Sequence, residues 1–134
     1  MPNAIRINEQ GGPEVMRWES VDLPELGSEE IRIRHTAIGL NFIDTYQRSG
    51  LYPLNPPCGL GKEAAGVVEE VGSAVKEFKK GDRVVYVGGT SAYSEVSQIV
   101  SNLVVSIPDD VEDEVAAASM LKGMTAEYLL LSLI

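Results

Sequence analysis

A mainly β protein with short helices, arranged as a sandwich or a partly open barrel, is the fold class this sequence predicts. Three observations lead there. Residues 29–37 alternate apolar and polar side chains, as a half-buried strand requires. Further short apolar, β-branched runs follow at close spacing, separated by turns such as Gly72-Ser73 and Gly88-Gly89. After Pro108 the composition turns acidic and then takes on helical character, so the β part is expected to occupy residues 1–108 and a helical segment residues 109–134.

Residues 4–7 alternate and read as the opening strand. Gly11-Gly12-Pro13 makes a turn, because glycine accepts positive φ and proline cannot join a central ladder. Residues 15–21 are expected to return as a strand, and in 29–37 a slip of one residue would exchange the two faces. Asn41 then stands where its side-chain oxygen can cap a short helix. Phe42, Ile43 and Tyr46 recur at helical spacing and are expected to face the core, and Gly50 sits where a helix commonly stops. A proline-rich loop follows, and residues 64–71, 82–87, 93–97 and 103–107 are expected as strands. The acidic run from Asp109 to Glu114 suits a helix N-terminus, where free N–H groups favour negative charge. Helix is expected over 115–118 and 120–128, with a break at Gly123. Residues 129–134 are apolar at five of six positions, which predicts uncovered apolar surface and a chain cut from a longer one.

Composition bounds the function. At 134 residues the chain is one domain by size. Eleven basic against twenty acidic residues, a net charge of −9, argue against a nucleic-acid or anionic-membrane partner. The single cysteine, Cys58, permits no internal disulfide and points to a reducing compartment. No basic-then-apolar leader opens the chain, and no apolar run approaches the ~20 residues that cross a bilayer. A cytoplasmic protein is expected.

Each motif has a bland reading beside the chemical one. Gly59-Leu60-Gly61-Lys62-Glu63-Ala64 formally matches the dinucleotide-binding Gly-x-Gly-x-x-Ala, but that fingerprint should follow a strand and open a helix. Here a strand is expected after it, so a tight turn is favoured. His35 lies mid-strand without an oriented partner in sequence and reads as a residue of the strand face. Cys58 reads as a small packed residue. One histidine and one cysteine cannot supply the three or four ligands of a zinc site, so no metal is expected. The stretch from Gly39 to Tyr52 carries more: the Asn41 amide and the hydroxyls of Tyr46 and Tyr52 beside an apolar helix suit a wall for a flat, partly apolar ligand.

That stretch, Asn41-Phe42-Ile43-Asp44-x-Tyr46-x-Arg48-x-Gly50-x-Tyr52, resembles the zinc-independent quinone oxidoreductases (the zeta-crystallin-like group) of the medium-chain dehydrogenase/reductase superfamily. Gly11-Gly12-Pro13-Glu14-Val15, Gly61-Lys62-Glu63-Ala64-Ala65-Gly66-Val67-Val68, Lys80-Gly81-Asp82-Arg83-Val84 and Leu121-Lys122-Gly123-Met124-Thr125 agree in order and spacing. The resemblance implies a GroES-like catalytic domain, a partly open β-barrel, whose C-terminal helices lead toward a Rossmann domain absent from this chain. It implies hydride transfer from NADPH to a quinone or conjugated carbonyl without zinc, which has a Gly-His-Glu in the zinc enzymes where this chain has Gly61-Lys62-Glu63. Asn41, Tyr46 and Tyr52 are the implied catalytic residues; Asn41, Phe42, Ile43, Asp44, Tyr46, Lys122, Thr125 and Tyr128 are the implied cofactor contacts. A full-length form is expected to be a homodimer, and this chain alone is expected to turn over slowly or not at all. The alternative is a truncated, non-catalytic GroES-like binding module that docks through its apolar C-terminal helix; a co-chaperonin subunit would not need the Asn41 to Tyr52 signature.

Overall fold

A computed structural model describes residues 1–132; Leu133 and Ile134, the end of the apolar stretch noted above, lie outside the described residues. In chain order the elements are β1 (Asn3–Ile7), β2 (Arg17–Ser20), β3 (Glu30–Gly39), α1 (Phe42–Ser49), β4 (Cys58–Gly59), β5 (Glu63–Val71), β6 (Arg83–Val87), β7 (Val96–Val100), β8 (Val104–Ser106) and α2 (Asp113–Glu127). A three-stranded sheet runs β2-β1-β4 and a five-stranded sheet β7-β3-β5-β6-β8. The pairings are antiparallel, and the two sheets do not close on each other. The sheets are stitched where Ala4 bridges Ser94 and the Ile5 N–H donates to the Tyr93 carbonyl at 2.7 Å. The mainly β, partly open architecture is thus the one the strand pattern predicts.

The alternation in β3 does what its period requires. Ile31 and Ile33 point into the core beside Val68, Val84 and Tyr86, while Arg32 and Arg34 reach out to Glu70 and Glu69 on β5. These outward ion pairs are half-exposed, and such pairs contribute little to stability. A second core lies under α2, where Ala116 and Ala117 cover Ala65, Val85 and Ile107.

Three local expectations are corrected. Residues 15–21 are not one strand: Pro13–Val15 forms a 3-10 turn with proline at its first position, and only Arg17–Ser20 pairs with β1. Tyr93 and Ser94 serve the small sheet and the Leu60 turn instead of extending β7, with the Tyr93 N–H donating to the Leu60 carbonyl at 2.9 Å. Gly123 does not break the helix, which runs through it from Asp113 to Glu127; a glycine there costs about 1 kcal/mol against alanine but forbids nothing. The helix then passes into a π-helical turn over Tyr128–Ser132, and residues 129–131 are exposed leucines.

His35 sits in a closed polar cluster. Its Nδ1 lies 2.7 Å from the Ser94 carbonyl, which can only accept, so Nδ1 carries the proton and Nε2 accepts. Nε2 is 3.0 Å from Ser97 Oγ and 3.1 Å from Tyr86 Oη, and those two hydroxyls are 2.9 Å apart. Burial pulls the imidazole below its ordinary value, against the bonds to backbone that raise it. Burial likewise pushes the Tyr86 phenol up to about 12, partly opposed by its Ser97 bond.

The N-terminus of α2 is clamped to the sheet. Arg83 on β6 donates from Nε and Nη2 to Asp113 Oδ1 at 3.0 and 2.6 Å and from Nη2 to the Val111 carbonyl at 2.6 Å. Thr36 on β3 donates to Asp113 Oδ2 at 2.6 Å. The Thr36 bond, then the Arg83 bond and charge, hold the Asp113 carboxyl below its usual range.

Two outcomes are expected. Because folding lowers the His35 pKa, the unfolded chain takes the proton first as pH falls below about 6.5, so stability is full above that value and declines as pH drops toward the folded value. Urea unfolding between pH 7.5 and 5 should show this decline, and His35→Gln should flatten it; an unchanged slope in the variant removes His35 as the cause. Asp113→Asn should cost about 1.5–3 kcal/mol at neutral pH, the range for a hydrogen bond to a charged group. The same bonds, present above the usual carboxylate pKa near 3.8, should fade in the wild type only as pH falls through the lowered folded value, well below the His35 window.

Candidate functional site

The candidate site is built where α1 begins against the middle of α2. Glycine at position 50, with φ of 95°, ends α1 in the left-handed conformation, as the sequence predicts. The face that α1 buries is the reverse of the expected one. Phe42 is 80% exposed, whereas Asp44 and Gln47 are buried at 2% and 8%. Two sets of contacts fix this orientation, one to the Asp44 side chain and one to the backbone at the end of the helix. Asp44 Oδ2 accepts from the Asn41 N–H at 3.1 Å and from the Tyr93 hydroxyl at 2.6 Å. Gln10 Nε2 donates to the carbonyls of Gln47 and Tyr52 at 2.7 and 2.8 Å, and Arg48 exchanges hydrogen bonds with Gly11. Asp44 is thus partnered at Oδ2 and the helix end is held through its backbone, while Asp44 Oδ1 and Gln47 Oε1 are buried without a partner among the described residues.

Asn41 occupies the N-cap, yet its amide serves other elements. Nδ2 donates to Glu63 Oε1 at 2.9 Å, and Oδ1 accepts from Lys122 Nζ at 3.1 Å. Lys122 also donates to the Leu40 carbonyl at 3.0 Å and lies 4.0 Å from Glu63 Oε1. Glu63 Oε2 accepts from the Leu121 N–H at 2.8 Å. Beside this cluster, Asn41, Ile43, Leu121, Lys122, Thr125, Ala126 and Leu129 line an open groove of about 490 Å³. Thr125 uses its hydroxyl proton on the Leu121 carbonyl at 2.8 Å, leaving oxygen lone pairs as acceptor capacity.

Four of the residues singled out in the sequence therefore meet in one groove: Asn41, Ile43, Lys122 and Thr125. Phe42, Tyr46 and Tyr52 form a separate array on the outer side of α1. Phe42 and Tyr46 are stacked with centroids 6.4 Å apart, and Tyr46 meets Tyr52 edge-on at 5.4 Å. Asp44 faces the other way, into a cavity of about 100 Å³ shared with Arg48, Leu60 and Tyr93. Burial first, and then the Asp44 bond and charge, raise the Tyr93 phenol well above its ordinary value. Tyr128 is exposed and outside the groove lining, where Leu129 stands instead. Glu63 and Tyr93 escaped sequence reasoning as partners of the site, since only the fold brings them to Asn41 and Asp44. The one available signal was a glutamate immediately before the apolar run 64–68 of β5.

The remaining candidates take the bland reading. Gly61, with φ of 100°, turns the chain directly into β5, so no helix N-terminus follows the Gly-x-Gly segment. Burial pushes the Cys58 thiol up, opposed by the Arg6 charge, which leaves it a poor nucleophile. Among the described residues no helix is long and apolar enough to cross a membrane.

The alcohol dehydrogenase GroES-like domain family matches residues 27–132. A quinone oxidoreductase of Pseudomonas aeruginosa is 52% identical over 132 residues, which cover 97% of this chain and 41% of that protein. The solved quinone oxidoreductase of Pseudomonas syringae superposes with a TM-score of 0.96 at 49% identity, over 99% of this chain and 42% of that one. The Escherichia coli quinone oxidoreductase solved with NADPH gives a TM-score of 0.95 at 47% identity, over 98% of this chain and 41% of that one. The chain thus spans about two fifths of the length of these relatives.

Tyr93→Phe removes one of the two donors to the buried Asp44 carboxylate and should cost about 1–3 kcal/mol in urea unfolding. A loss indistinguishable from zero would show that Asp44 does not need the phenol.

Proposed function

The chain belongs to the alcohol dehydrogenase GroES-like domain family, and from that premise we propose that it is the catalytic-domain part of an NADPH:quinone oxidoreductase. In this reading residues 1–108 are the catalytic domain and residues 109–134 lead toward a nucleotide-binding domain. The observation that carries the proposal is the groove itself: Asn41 and Lys122, 81 residues apart, meet at one wall with Ile43 and Thr125.

The wall fits a nicotinamide cofactor on one side. Ile43, Leu121 and Ala126 offer apolar surface for a flat ring, while the Lys122 ammonium offers a donor to a carbonyl or phosphate oxygen. NADPH, when bound, supplies the hydride; the protein's part is to orient two flat rings and exclude water. Asn41, Ile43, Lys122 and Thr125 take the cofactor side. Phe42, Tyr46 and Tyr52 stack beside the acceptor, a quinone or other conjugated carbonyl, and the phenols of Tyr46 and Tyr52 hold its oxygen. Asp44 contributes by closing the first turn of α1, and Tyr128 from the helical turn beyond Thr125. The chemistry needs no zinc: the one histidine is engaged by Ser94, Ser97 and Tyr86, and Lys62 stands where a metal-binding histidine would be required. A cytoplasmic enzyme, dimeric in a full-length form, with no nucleic-acid or membrane partner, completes the reading.

Titrating NADPH into the 15N-labelled chain tests it. Shifts are expected at Asn41, Ile43, Lys122 and Thr125, and Lys122→Met should weaken the apparent affinity about tenfold, the ~1.4 kcal/mol of one charge-assisted hydrogen bond. Shifts elsewhere with none at these four residues would sink the assignment. In a protein that carries these residues and oxidises NADPH with benzoquinone, Tyr52→Phe isolates the hydroxyl and Tyr52→Ala the ring. Unchanged kcat and KM in both would remove Tyr52 from the site.

A further inference from the structure

We infer that Glu63, outside the residues assigned above, is the positioning residue of the groove: it fixes the Asn41 amide and the Lys122 ammonium in the orientation a ligand meets. The functional meaning of this role rests on the reading of the groove as the cofactor wall; the geometry does not.

Glu63 opens β5 and is 0% exposed. A carboxylate removed from water must be repaid with hydrogen bonds or charge. Both of its oxygens are used, Oε1 by Asn41 Nδ2 and Oε2 by the Leu121 N–H, with the Lys122 ammonium 4.0 Å from Oε1. Its seat is shaped for it. A Cβ on Gly39 would come within 2.4 Å of Glu63 Cγ and Oε1 and 2.5 Å of the Ala117 carbonyl. Glycine at 39 therefore lets β3, Glu63 and α2 converge at a spacing that no side chain permits.

The chemistry of the cluster then has one consistent arrangement. A carboxylate accepts only and an ammonium donates only. The Asn41 amide between them must turn Nδ2 to Glu63 and Oδ1 to Lys122; the flipped amide would set acceptor against acceptor at Glu63 and donor against donor at Lys122. Two of the three ammonium N–H groups go to the Leu40 carbonyl and Asn41 Oδ1, and 4.0 Å to Glu63 is too long for a hydrogen bond. One N–H is left for an acceptor atom in the groove. Glu63 thus acts through Asn41 and Lys122 without itself reaching the ligand.

Glutamine at 63 keeps the shape but has one acceptor oxygen, so either Asn41 Nδ2 or the Leu121 N–H faces an NH2 group. Hydrogen exchange of side-chain amides reads this directly in the chain as it stands. The Asn41 Nδ2 protons are expected to exchange at least about tenfold more slowly than those of Asn55 and Asn102, both exposed. Glu63→Gln should bring the Asn41 rate to within about threefold of that pair while the backbone spectrum of the two sheets is kept, and should weaken NADPH binding about tenfold. Lys122→Met should leave the Asn41 protection in place, since the Glu63 bond remains; this variant and the wild-type rate decide the matter should Glu63→Gln not fold. Fast Asn41 exchange in the wild type, protection surviving in Glu63→Gln, or protection lost in Lys122→Met would each overturn the inference. Slow, Glu63-dependent exchange without any NADPH-induced shift at the groove would instead remove the redox reading and leave the positioning role standing.

Discussion

A glutamate with no exposed surface ties this domain together. The Glu63 side chain is ionisable, and the interior offers few ways to satisfy it. The ways found here come from α1 through Asn41 and from α2 through Leu121. Neither helix can shift alone without leaving a buried oxygen unpartnered. The other ends of the two helices are held separately. Gln10 and Gly11 grip the C-terminal end of α1, and Arg83 with Thr36 grips the N-terminal end of α2. With fixed points on each helix, the groove wall is held from both sides, the arrangement that keeps the ordering cost of binding down.

What could be read in the sequence follows from where the determining contacts lie. The strands β3 and β5 were legible because alternation and β-branching act within a few residues, and both strands bury what the pattern says they bury. The existence and the end of α1 were legible for the same reason, from Asn41 and Gly50. Its orientation was not. Apolar spacing put Phe42 and Tyr46 inside, but Tyr93, 49 residues from Asp44, bonds its buried carboxylate, and Gln10, 37 residues from Gln47, holds the Gln47 backbone carbonyl, so the polar face is the one turned inward. The same limit hid Glu63. The candidate site was half legible: Asn41, Ile43, Lys122 and Thr125 do meet, while Phe42, Tyr46 and Tyr52 form a neighbouring surface and Asp44 turns inward.

The inverted helix has a consequence for the surface. With the polar side of α1 buried, the helix and the loop after it show Phe42, Tyr46 and Tyr52 to the outside, and Leu40 and Leu51 flank them. Exposed aromatic rings packed against one another keep much of their surface dry on one side and open on the other. Such a surface can take a flat partner by stacking while its phenol groups stay wetted. It adjoins the groove through consecutive residues, since Phe42 belongs to the array and Ile43 to the groove. An apolar ring in one place and an acceptor in the other would lie on adjoining faces of a single helical turn.

Two buried polar clusters allow a comparison that separates support from site. In the His35 cluster the bonds run between members or to backbone: Nδ1 donates to the Ser94 carbonyl, one of the Ser97 and Tyr86 hydroxyls donates to Nε2, and the other donates to that hydroxyl. Nothing is left to offer a ligand, so the cluster can only stabilise the fold. The Asn41–Glu63–Lys122 cluster is built from the same kind of bonds, but it is closed only on its inner side. Its acid is sealed at 0% exposure, its amide is fixed between acid and base, and its ammonium is 58% exposed with one donor unassigned. A network whose charge is anchored inside and presented outside has a direction, and that direction leads into the groove. Sequence could not distinguish the two, since each has an ionisable residue in a regular strand; the difference is whether the last hydrogen bond is made within the protein.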